Sequence, residues 1–274
     1  QRFANIIPYN HSRVKLQKID GKPLSDYINA SHVDGTNGRK YIASQGPKKK
    51  TLTDFWRMIW ENKVNRVAML TNLVENGVNK CLQYWPERVD GPPLKSDQFT
   101  VQLLKEDVWP DFTRRQLEFT KKGASPRQLT QYHYTTWPDH SVPSHATALW
   151  KLFRKLTHDA DKSVPIVIHC SAGVGRTGTF IALDHLMQHI ETHDDIDIYG
   201  IVYQMRKQRC MMVQTESQYI FIHKCLEYVL QGGEREYDNV MNDGTENRAF
   251  EDDNDTCMIV TKTDDDEGID IKPE

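Results

Sequence analysis

Residues 164–178 read VPIVIHCSAGVGRTG, and this stretch predicts the centre of the fold. The first five residues form a continuous apolar run, which is typical of a strand buried on both faces of a sheet. Small residues follow from Ser171 to Gly175, and a segment with helical spacing of apolar residues begins near Arg176 and continues to Ile190. We therefore expect a buried strand, a tight loop and a helix in direct succession.

The rest of the chain predicts an α+β fold with one sheet, because strands cluster early and helices late. Alternating or short apolar runs predict strands at 27–33, 41–44, 67–70, 99–104, 116–119 and 132–135. Helical spacing of apolar residues predicts helices at 54–61, 144–156, 198–207 and 214–230.

Charge divides the chain into two parts of opposite sign. Residues 231–274 hold 15 acidic and 4 basic residues, whereas residues 1–230 hold 31 basic and 23 acidic ones. The acidic part has few large apolar residues, so we expect a basic domain over 1–230 and a disordered acidic tail over 231–274. A basic body attracts nucleic acid, anionic lipid or phosphorylated substrates, although an ordinary solvated surface is an equally good interpretation of charge alone.

Several classes of protein are excluded by composition. No apolar run approaches the ~18–20 residues that cross a bilayer. Five cysteines without paired close spacing argue against a disulfide framework or a zinc site. No His, Cys and Asp cluster has the spacing of metal ligands, so we expect neither a metal nor another cofactor.

The loop after the predicted strand is suited to binding an anion next to a thiol. The small side chains of Ser171, Ala172, Gly173, Val174 and Gly175 let the backbone curl and point its N–H groups inward. The following helix N-terminus adds free donors, and the Arg176 guanidinium matches two phosphate oxygens.

The same positive field acts on the thiol of Cys170. We expect a thiolate at neutral pH, since helix N-termini and nearby cations favour the deprotonated form, and the Thr177 hydroxyl can donate to the sulfur. A thiolate beneath a bound phosphate can attack phosphorus. The alternative is a buried structural cysteine beside a turn, which this spacing makes the weaker interpretation.

A candidate general acid lies at Trp137-Pro138-Asp139. Asp139 follows a rigid dipeptide on a predicted loop, so it could move over the thiol and protonate a leaving oxygen. It could equally be a plain turn residue or the N-cap of the helix that begins near Ser144. The spacing alone does not decide between these interpretations.

The chain resembles the protein tyrosine phosphatases over about residues 3–230. The motifs that carry the resemblance are residues 169–178 and 137–139, Asp26–Ala30, Gln45–Pro47, Asp54–Met58, Lys80-Cys81, Gln83–Pro86 and Val213–Glu216. Residues 108–113 and 178–184 look closest to the receptor-type group with one catalytic domain, the vascular-endothelial kind. The resemblance implies a single highly twisted mixed β-sheet flanked by helices.

The resemblance also implies roles for the reacting residues. Cys170 would be the nucleophile of a phosphocysteine intermediate, and Arg176 the phosphate clamp. Asp139 would serve as the acid and then as the base that activates water. Gln214 would position that water with Gln218 nearby, although both also fit polar residues at a helix start.

Further residues would support this site. Glu75 matches the carboxylate that orients the arginine, and Lys80 the lysine that approaches the acid; exposed surface charge is their alternative interpretation. His169 opens the phosphate loop. The substrate platform, usually Asn-Arg-Tyr, reads Gln-Arg-Phe here, so Phe3 keeps an aromatic face for stacking on phosphotyrosine. Asn5 stands where many members hold the substrate backbone with Asp. Because the chain begins inside this motif, we expect an N-terminally truncated domain.

The resemblance implies partners and a location. The partners would be phosphotyrosine-containing proteins and not nucleic acid, and a deep cleft walled by Phe3 would exclude phosphoserine. The loop at 171–175 contains no Lys or Arg, which disfavours phosphoinositides. Tyr237, in an acidic context with Asn239 two residues later, could be phosphorylated and bind adaptors, or stay unmodified. The domain would lie on the cytoplasmic side of the plasma membrane as part of a receptor, associated with the membrane only through a segment absent from this sequence.

Two competing functions can be weighed on the sequence. A catalytically silent phosphotyrosine-binding domain usually lacks one of the four reacting residues, and here Cys170, Arg176, Asp139 and Gln214 are all present. A cysteine-dependent hydrolase of esters or peptides would need an opposed base histidine, and His169 is only adjacent in sequence. Hydrolysis of phosphotyrosine is therefore the favoured interpretation.

Overall fold

The computed structural model describes residues 2–138, 141–143, 146–190 and 196–233. In these ranges the strands are β1 (Arg13–Lys15), β2 (Tyr27–Asp34), β3 (Lys40–Gln45), β4 (Arg66–Met69), β5 (Val74–Glu75), β6 (Val78–Asn79), β7 (Leu94–Ser96), β8 (Phe99–Val108), β9 (Phe112–Lys121), β10 (Arg127–Tyr134) and β11 (Ile166–Cys170). The α-helices are α1 (Leu52–Glu61), α2 (Ala146–Thr157), α3 (Gly175–Ile190), α4 (Ile198–Gln208) and α5 (Glu216–Tyr228). A short 3-10 helix covers Thr36–Gly38, and a π-helical turn covers Val229–Gly233.

Nine of these strands form one mixed sheet in the order β1-β2-β3-β11-β4-β10-β9-β8-β7. The four neighbours β3, β11, β4 and β10 pair in parallel, and the outer strands pair antiparallel. β5 and β6 form a separate hairpin. The predicted α+β fold with one large sheet is confirmed.

β11 lies between two parallel neighbours at the centre of this sheet. All five of its residues are buried, so both faces of the strand are covered. Val167 packs in the cluster that contains α1, and α3 also contacts the strand. The strand begins and ends two residues later than the apolar run at 164–168, because Cys170 still pairs with Gln45 of β3. The cysteine is therefore the last residue of the strand, not the first of the loop.

One hydrophobic core packs α1 against the sheet. Phe55, Trp56, Met58 and Ile59 of α1 are buried in a cluster with strand residues that include Phe119. The rings of Trp56 and Phe119 lie 5.5 Å apart. Burying each such side chain contributes about 1.5–3 kcal/mol, so this layer holds the sheet rigid beneath the end of β11.

The sequence patterns did not predict some of these elements and predicted different boundaries for others. β1 and β7 have three residues each, too few for a periodic signal. α5 begins at Glu216, so Gln214 lies in the turn before the helix instead of inside it. Ser144, the expected start of α2, lies outside the described residues.

The chain divides into a compact unit, Gln1–Tyr228, and a second unit, Val229–Glu274. The domain boundary after residue 230 remains a prediction, and residues 234–274 lie outside the described part. None of the described helices has the length and apolar character needed to cross a membrane.

Candidate active site

The loop between β11 and α3 curls around the thiol of Cys170. The side chain is 5% exposed. Its Sγ accepts a hydrogen bond from the Gly173 N–H at 3.2 Å and another from the Thr177 hydroxyl at 3.3 Å. Both donors stabilise a negative charge on sulfur more than a neutral thiol. The predicted contact between Thr177 and the sulfur is present.

Arg209 holds the outer side of this loop. Its guanidinium is fully buried and donates to the carbonyl oxygens of Gly173 at 2.7 Å and Ala172 at 3.0 Å. It also donates to Ser31 Oγ and Asn29 Oδ1, at 3.1 and 2.8 Å. The Gly173 N–H, which lies between these two carbonyls in sequence, points the other way, towards Cys170 Sγ, as an anion nest requires.

Sequence reasoning missed Arg209, because a buried arginine cannot be told from a surface one without its partners. Burial lowers the pKa of its guanidinium to about 10, which still leaves a cation at neutral pH. The loop is thus surrounded by positive charge from Arg209 as well as from Arg176.

Two glycines allow the loop to pack this closely. Gly173 has a φ of +73°, and a Cβ there would lie 2.2 Å from the carbonyl oxygen of Ser44. A Cβ on Gly178 would lie 2.4 Å from the backbone nitrogen of Val213. Only glycine fits either position, so the loop approaches β3, and the 211–214 turn approaches α3, at backbone distance.

Arg176 is held by a carboxylate on the β5–β6 hairpin. Its two terminal nitrogens donate to the two oxygens of Glu75 at 2.6 and 2.9 Å. The side chains are 11% and 6% exposed, so water competes little with this bidentate pair. Glu75 Oε1 also accepts from the Thr71 hydroxyl and the Asn72 N–H, each at 3.0 Å. The structure thereby brings Glu75 to the predicted arginine.

Lys80 also lies beside this carboxylate. Its Nζ is 3.8 Å from Glu75 Oε2, so it adds a second cation to the clamp. The expectation that Lys80 approaches Asp139 stays a prediction, because Asp139 and His140 lie outside the described residues.

The described residues just before Asp139 contact Arg176. The Trp137 ring is 3% exposed and lies 5.9 Å from the Arg176 guanidinium. Arg176 Nη2 donates to the Pro138 carbonyl at 3.3 Å, and the Trp137 indole donates to the Ser141 carbonyl at 3.0 Å. Pro138, the last described residue before Asp139, therefore lies beside Arg176.

Gln214 and Gln218 reach the start of α3. A Cβ on Gly175 would lie 2.9 Å from Gln218 Nε2 and 3.4 Å from Gln214 Oε1, so both amides lie against the first residue of that helix. Gln218 Oε1 accepts from the N–H groups of Gln214 at 2.9 Å and Thr215 at 3.3 Å, which caps the turn before α5. The structure brings both predicted glutamines to the loop.

The turn before Gln214 is strained and anchored. Val213 has a φ of +56°, which is unfavourable for a β-branched residue. Its N–H donates to the Val174 carbonyl at 3.2 Å, and Arg206 donates to its carbonyl at 2.7 Å. Arg206 was not predicted either. Such strain persists only where the surroundings fix it, and here it places Gln214.

His169 is buried behind the loop, where its contacts with Tyr84 and the Cys170 backbone give it a structural role. Burial lowers the pKa of its ring to about 3, so it is neutral. One ring nitrogen lies 2.9 Å from the Tyr84 hydroxyl and the other 3.4 Å from the Cys170 carbonyl oxygen. Neither contact involves the sulfur of Cys170, which removes the arrangement that a cysteine hydrolase with a base histidine would need.

Arg2 anchors the segment that carries Phe3 and Asn5. The Arg2 N–H donates to Gln45 Oε1 at 3.1 Å, and its guanidinium donates to the carbonyls of Gly46, Pro47 and Asn79. Since Gln45 pairs with Cys170, this segment lies at the same end of the parallel strands as the cysteine, and the Phe3 side chain is exposed there. The contacts of Phe3 and Asn5 with substrate stay predictions.

The fold and the site define an α+β protein with a tight loop, between β11 and α3, that is closed around a cysteine. The sequence model of the family described as Protein-tyrosine phosphatase matches residues 1–228, and the chain belongs to that family.

Curated relatives agree with this assignment. The chain is 44% identical over 239 residues to receptor-type tyrosine-protein phosphatase C of Homo sapiens, a match that covers 86% of this chain and 18% of the relative. It is 47% identical over 249 residues to the human receptor-type tyrosine-protein phosphatase zeta, covering 86% and 11%. It is 46% identical over 228 residues to the phosphatidylinositol phosphatase PTPRQ of Rattus norvegicus, covering 82% and 10%.

The expected likeness to receptor-type tyrosine phosphatases is confirmed, while the single-catalytic-domain subgroup stays a prediction. The chain spans less than a fifth of the length of these relatives. Among the residues that the structure describes, no group of three or more His, Cys, Asp and Glu could hold a metal ion.

Proposed function

We propose that this domain hydrolyses phosphotyrosine in proteins through a phosphocysteine intermediate. The observation that carries the proposal is the pair of hydrogen bonds, 3.2 and 3.3 Å long, that Cys170 Sγ accepts at the floor of the loop. This placement of the sulfur, together with Arg176 held by Glu75, supports a phosphate subsite directly above the sulfur.

The first half of the reaction transfers the phosphoryl group to sulfur. The phosphate oxygens accept hydrogen bonds from the loop N–H groups and from Arg176. The Cys170 thiolate attacks phosphorus, and the bond from phosphorus to the tyrosine oxygen breaks. Asp139 gives its proton to that oxygen, so the leaving group departs as a neutral phenol.

The second half returns the enzyme to its starting state. Gln214 orients a water molecule, and the Asp139 carboxylate takes its proton as the oxygen attacks phosphorus. The bond between sulfur and phosphorus breaks, inorganic phosphate leaves, and the sulfur departs as a thiolate. The hydrogen bond from Thr177 to that sulfur makes it a better leaving group.

The substrate class follows from the walls of the site. The exposed ring of Phe3 can stack on the phosphotyrosine ring, and Asn5 can accept from the peptide backbone. Serine is too short to bring its phosphate to the buried sulfur while the peptide stays at the surface. The loop residues 171–175 carry no cation for the extra phosphates of an inositol lipid. PTPRQ carries a lipid phosphatase in its name, so a lipid substrate needs a direct test.

The placement of the domain is also a proposal. Likeness to receptor-type relatives supports a position on the cytoplasmic side of the plasma membrane, in a larger receptor. Binding of adaptors to phosphorylated Tyr237 rests on the sequence alone, since that residue lies outside the described part of the chain.

Turnover by three forms of the protein tests the proposal. Wild type, Cys170→Ser and Asp139→Ala are assayed with a phosphotyrosyl peptide, the matched phosphoseryl peptide and a phosphoinositide. We expect wild type to turn over the phosphotyrosyl peptide alone, Cys170→Ser to be inactive, and Asp139→Ala to lose about 10²–10⁴-fold in rate while still binding. Tight binding without turnover by wild type would indicate a silent binding domain, and preferred turnover of the lipid would contradict the substrate class.

A further inference from the structure

A second Trp-Pro-Asp sequence lies beside the end of β10, the strand that leads into the first. Residues 109–111 form the turn between β8 and β9 and repeat the residues at 137–139. The turn is rigid: the Trp109 N–H donates to the Phe112 carbonyl at 2.9 Å, and the two rings stack 4.9 Å apart. Asp111 is thus presented from a fixed support.

Asp111 contacts Thr135 and Thr136, the two residues that precede Trp137-Pro138. Its carbonyl oxygen accepts from the Thr135 N–H at 2.9 Å and from the Thr135 hydroxyl at 3.1 Å. Its carboxylate oxygen Oδ1 accepts from the Thr136 hydroxyl at 3.0 Å. On the other side, the Asn72 amide donates to the Thr135 carbonyl at 3.0 Å.

These contacts fix where the chain leaves β10. Thr135 is held from both sides, but the side chain of Thr136 is exposed and is held by the Asp111 carboxylate. Two residues later, the Pro138 carbonyl accepts from Arg176 at 3.3 Å. A rotation about the backbone of Thr136 would move that carbonyl away from the guanidinium.

We propose that Asp111 is a positioning residue, which acts through Thr136 to hold the Pro138 carbonyl against Arg176 and thereby supports proton donation by Asp139. This inference rests on the proposed function, in which Asp139 donates that proton. Asp111 acts through Thr136, which is not one of the reacting groups, so its effect is on geometry.

The test uses paired variants that remove or keep the hydrogen bond from the Thr136 hydroxyl to the Asp111 carboxylate. Asp111→Ala and Thr136→Val abolish it, whereas Asp111→Asn keeps the acceptor and Thr136→Ser keeps the donor. Each is assayed with phenyl phosphate, whose leaving phenol needs a proton, and with para-nitrophenyl phosphate, whose leaving group needs it far less. Because a general acid contributes about 10²–10⁴-fold, we expect its misplacement to cost about tenfold in kcat on phenyl phosphate.

A positioning role has a signature that simple destabilisation lacks. We expect a much smaller loss on para-nitrophenyl phosphate, recovery in the Asn and Ser variants, and losses in the Asp111→Ala/Thr136→Val double variant no greater than in either single one. Asp107→Ala is the matched control, because that carboxylate on β8 pairs with Arg114 at 2.6 Å and does not contact Thr136. Equal losses on both substrates, or none, would overturn the proposal.

Asp139→Ala separates this proposal from the function on which it rests. If the loss of activity in Asp139→Ala is the same on phenyl phosphate and on para-nitrophenyl phosphate, the assignment of Asp139 as the acid fails, whatever the role of Asp111. Asp111 is then judged by inhibition with vanadate, which occupies the phosphate subsite. Weaker inhibition of Asp111→Ala than of Asp107→Ala would still support positioning of Pro138 against Arg176, and equal inhibition would overturn it.

Discussion

The Nε atom of Arg209 lies 2.7 Å from the carbonyl oxygen of Gly173, and this contact holds the loop between β11 and α3 from its outer side. The same loop residue donates its N–H to the sulfur of Cys170. One peptide segment is therefore tied to a buried cation on one side and to the Cys170 sulfur on the other, so its shape depends on both.

Replacing Arg209 by Met should damage both stability and phosphate binding. The buried Gly173 carbonyl and the part-buried Ala172 carbonyl lose their donor, at up to about 1–3 kcal/mol for each unsatisfied group. We expect a lower free energy of unfolding in urea and inhibition by vanadate weakened by at least about tenfold, or roughly 1.4 kcal/mol. Arg13→Lys is the control, since its pair with Asp26 is peripheral. Undiminished inhibition by vanadate in Arg209→Met would refute the role of Arg209.

Glu75→Gln should misorient the phosphate clamp. The amide offers one acceptor where the carboxylate gave two, and breaking a buried ion pair costs about 3–5 kcal/mol. We expect a large fall in kcat/KM and weaker inhibition by phosphate. Glu106→Gln removes an exposed carboxylate that pairs with Arg115, and it should change kcat/KM little. Similar falls in both variants would show that Arg176 does not depend on Glu75.

Gly178→Ala should slow the second chemical step more than the first. The new Cβ would force the backbone of Val213 to move, and Gln214 with it. We expect a rapid burst of phenol release followed by turnover at least about tenfold slower than in wild type, because the water is no longer oriented. Stopped-flow measurement separates the two phases. Gly123→Ala, at a φ of +81° with open space around it, controls for backbone strain alone. A slower burst with an unchanged second phase would contradict the placement of Gln214.

Stability should fall between about pH 6.5 and 4 because of His133. Burial, aided by the nearby charge of Arg115, lowers the pKa of its ring to about 4, whereas the unfolded chain takes up a proton near ~6.5. The stabilisation that comes from the neutral His133 ring is complete above the pKa of this ring in the unfolded chain. It is lost as the pH falls towards the pKa of the ring in the folded protein, at up to about 1.4 kcal/mol per pH unit. His133→Gln should flatten that slope in urea titrations at several pH values. The same slope in both proteins would mean that His133 is protonated in the folded state.

Much of the site could be predicted because its chemistry is local in sequence. The strand, the loop of small residues and the helix are contiguous from Ile166 to Ile190, so periodicity and side-chain size indicate them directly. The likeness to known phosphatases then pointed to Glu75 and Gln214. Arg209 was not predicted because its partners, Asn29 and Ser31, lie about 180 residues away in sequence. The contact of Asp111 with Thr136 depends on the register of β9 and β10, which no short motif encodes.

Direct trapping of the intermediate tests the central claim that Cys170 carries the phosphoryl group. Gln214→Ala, which should slow hydrolysis of the intermediate, is mixed with a radiolabelled phosphotyrosyl peptide, quenched in acid within milliseconds and digested for mass spectrometry. We predict one phosphoryl group per chain on Cys170, lost on incubation at the rate of phosphate release and never formed in Cys170→Ser. Turnover without label on Cys170, or label in Cys170→Ser, would contradict the account.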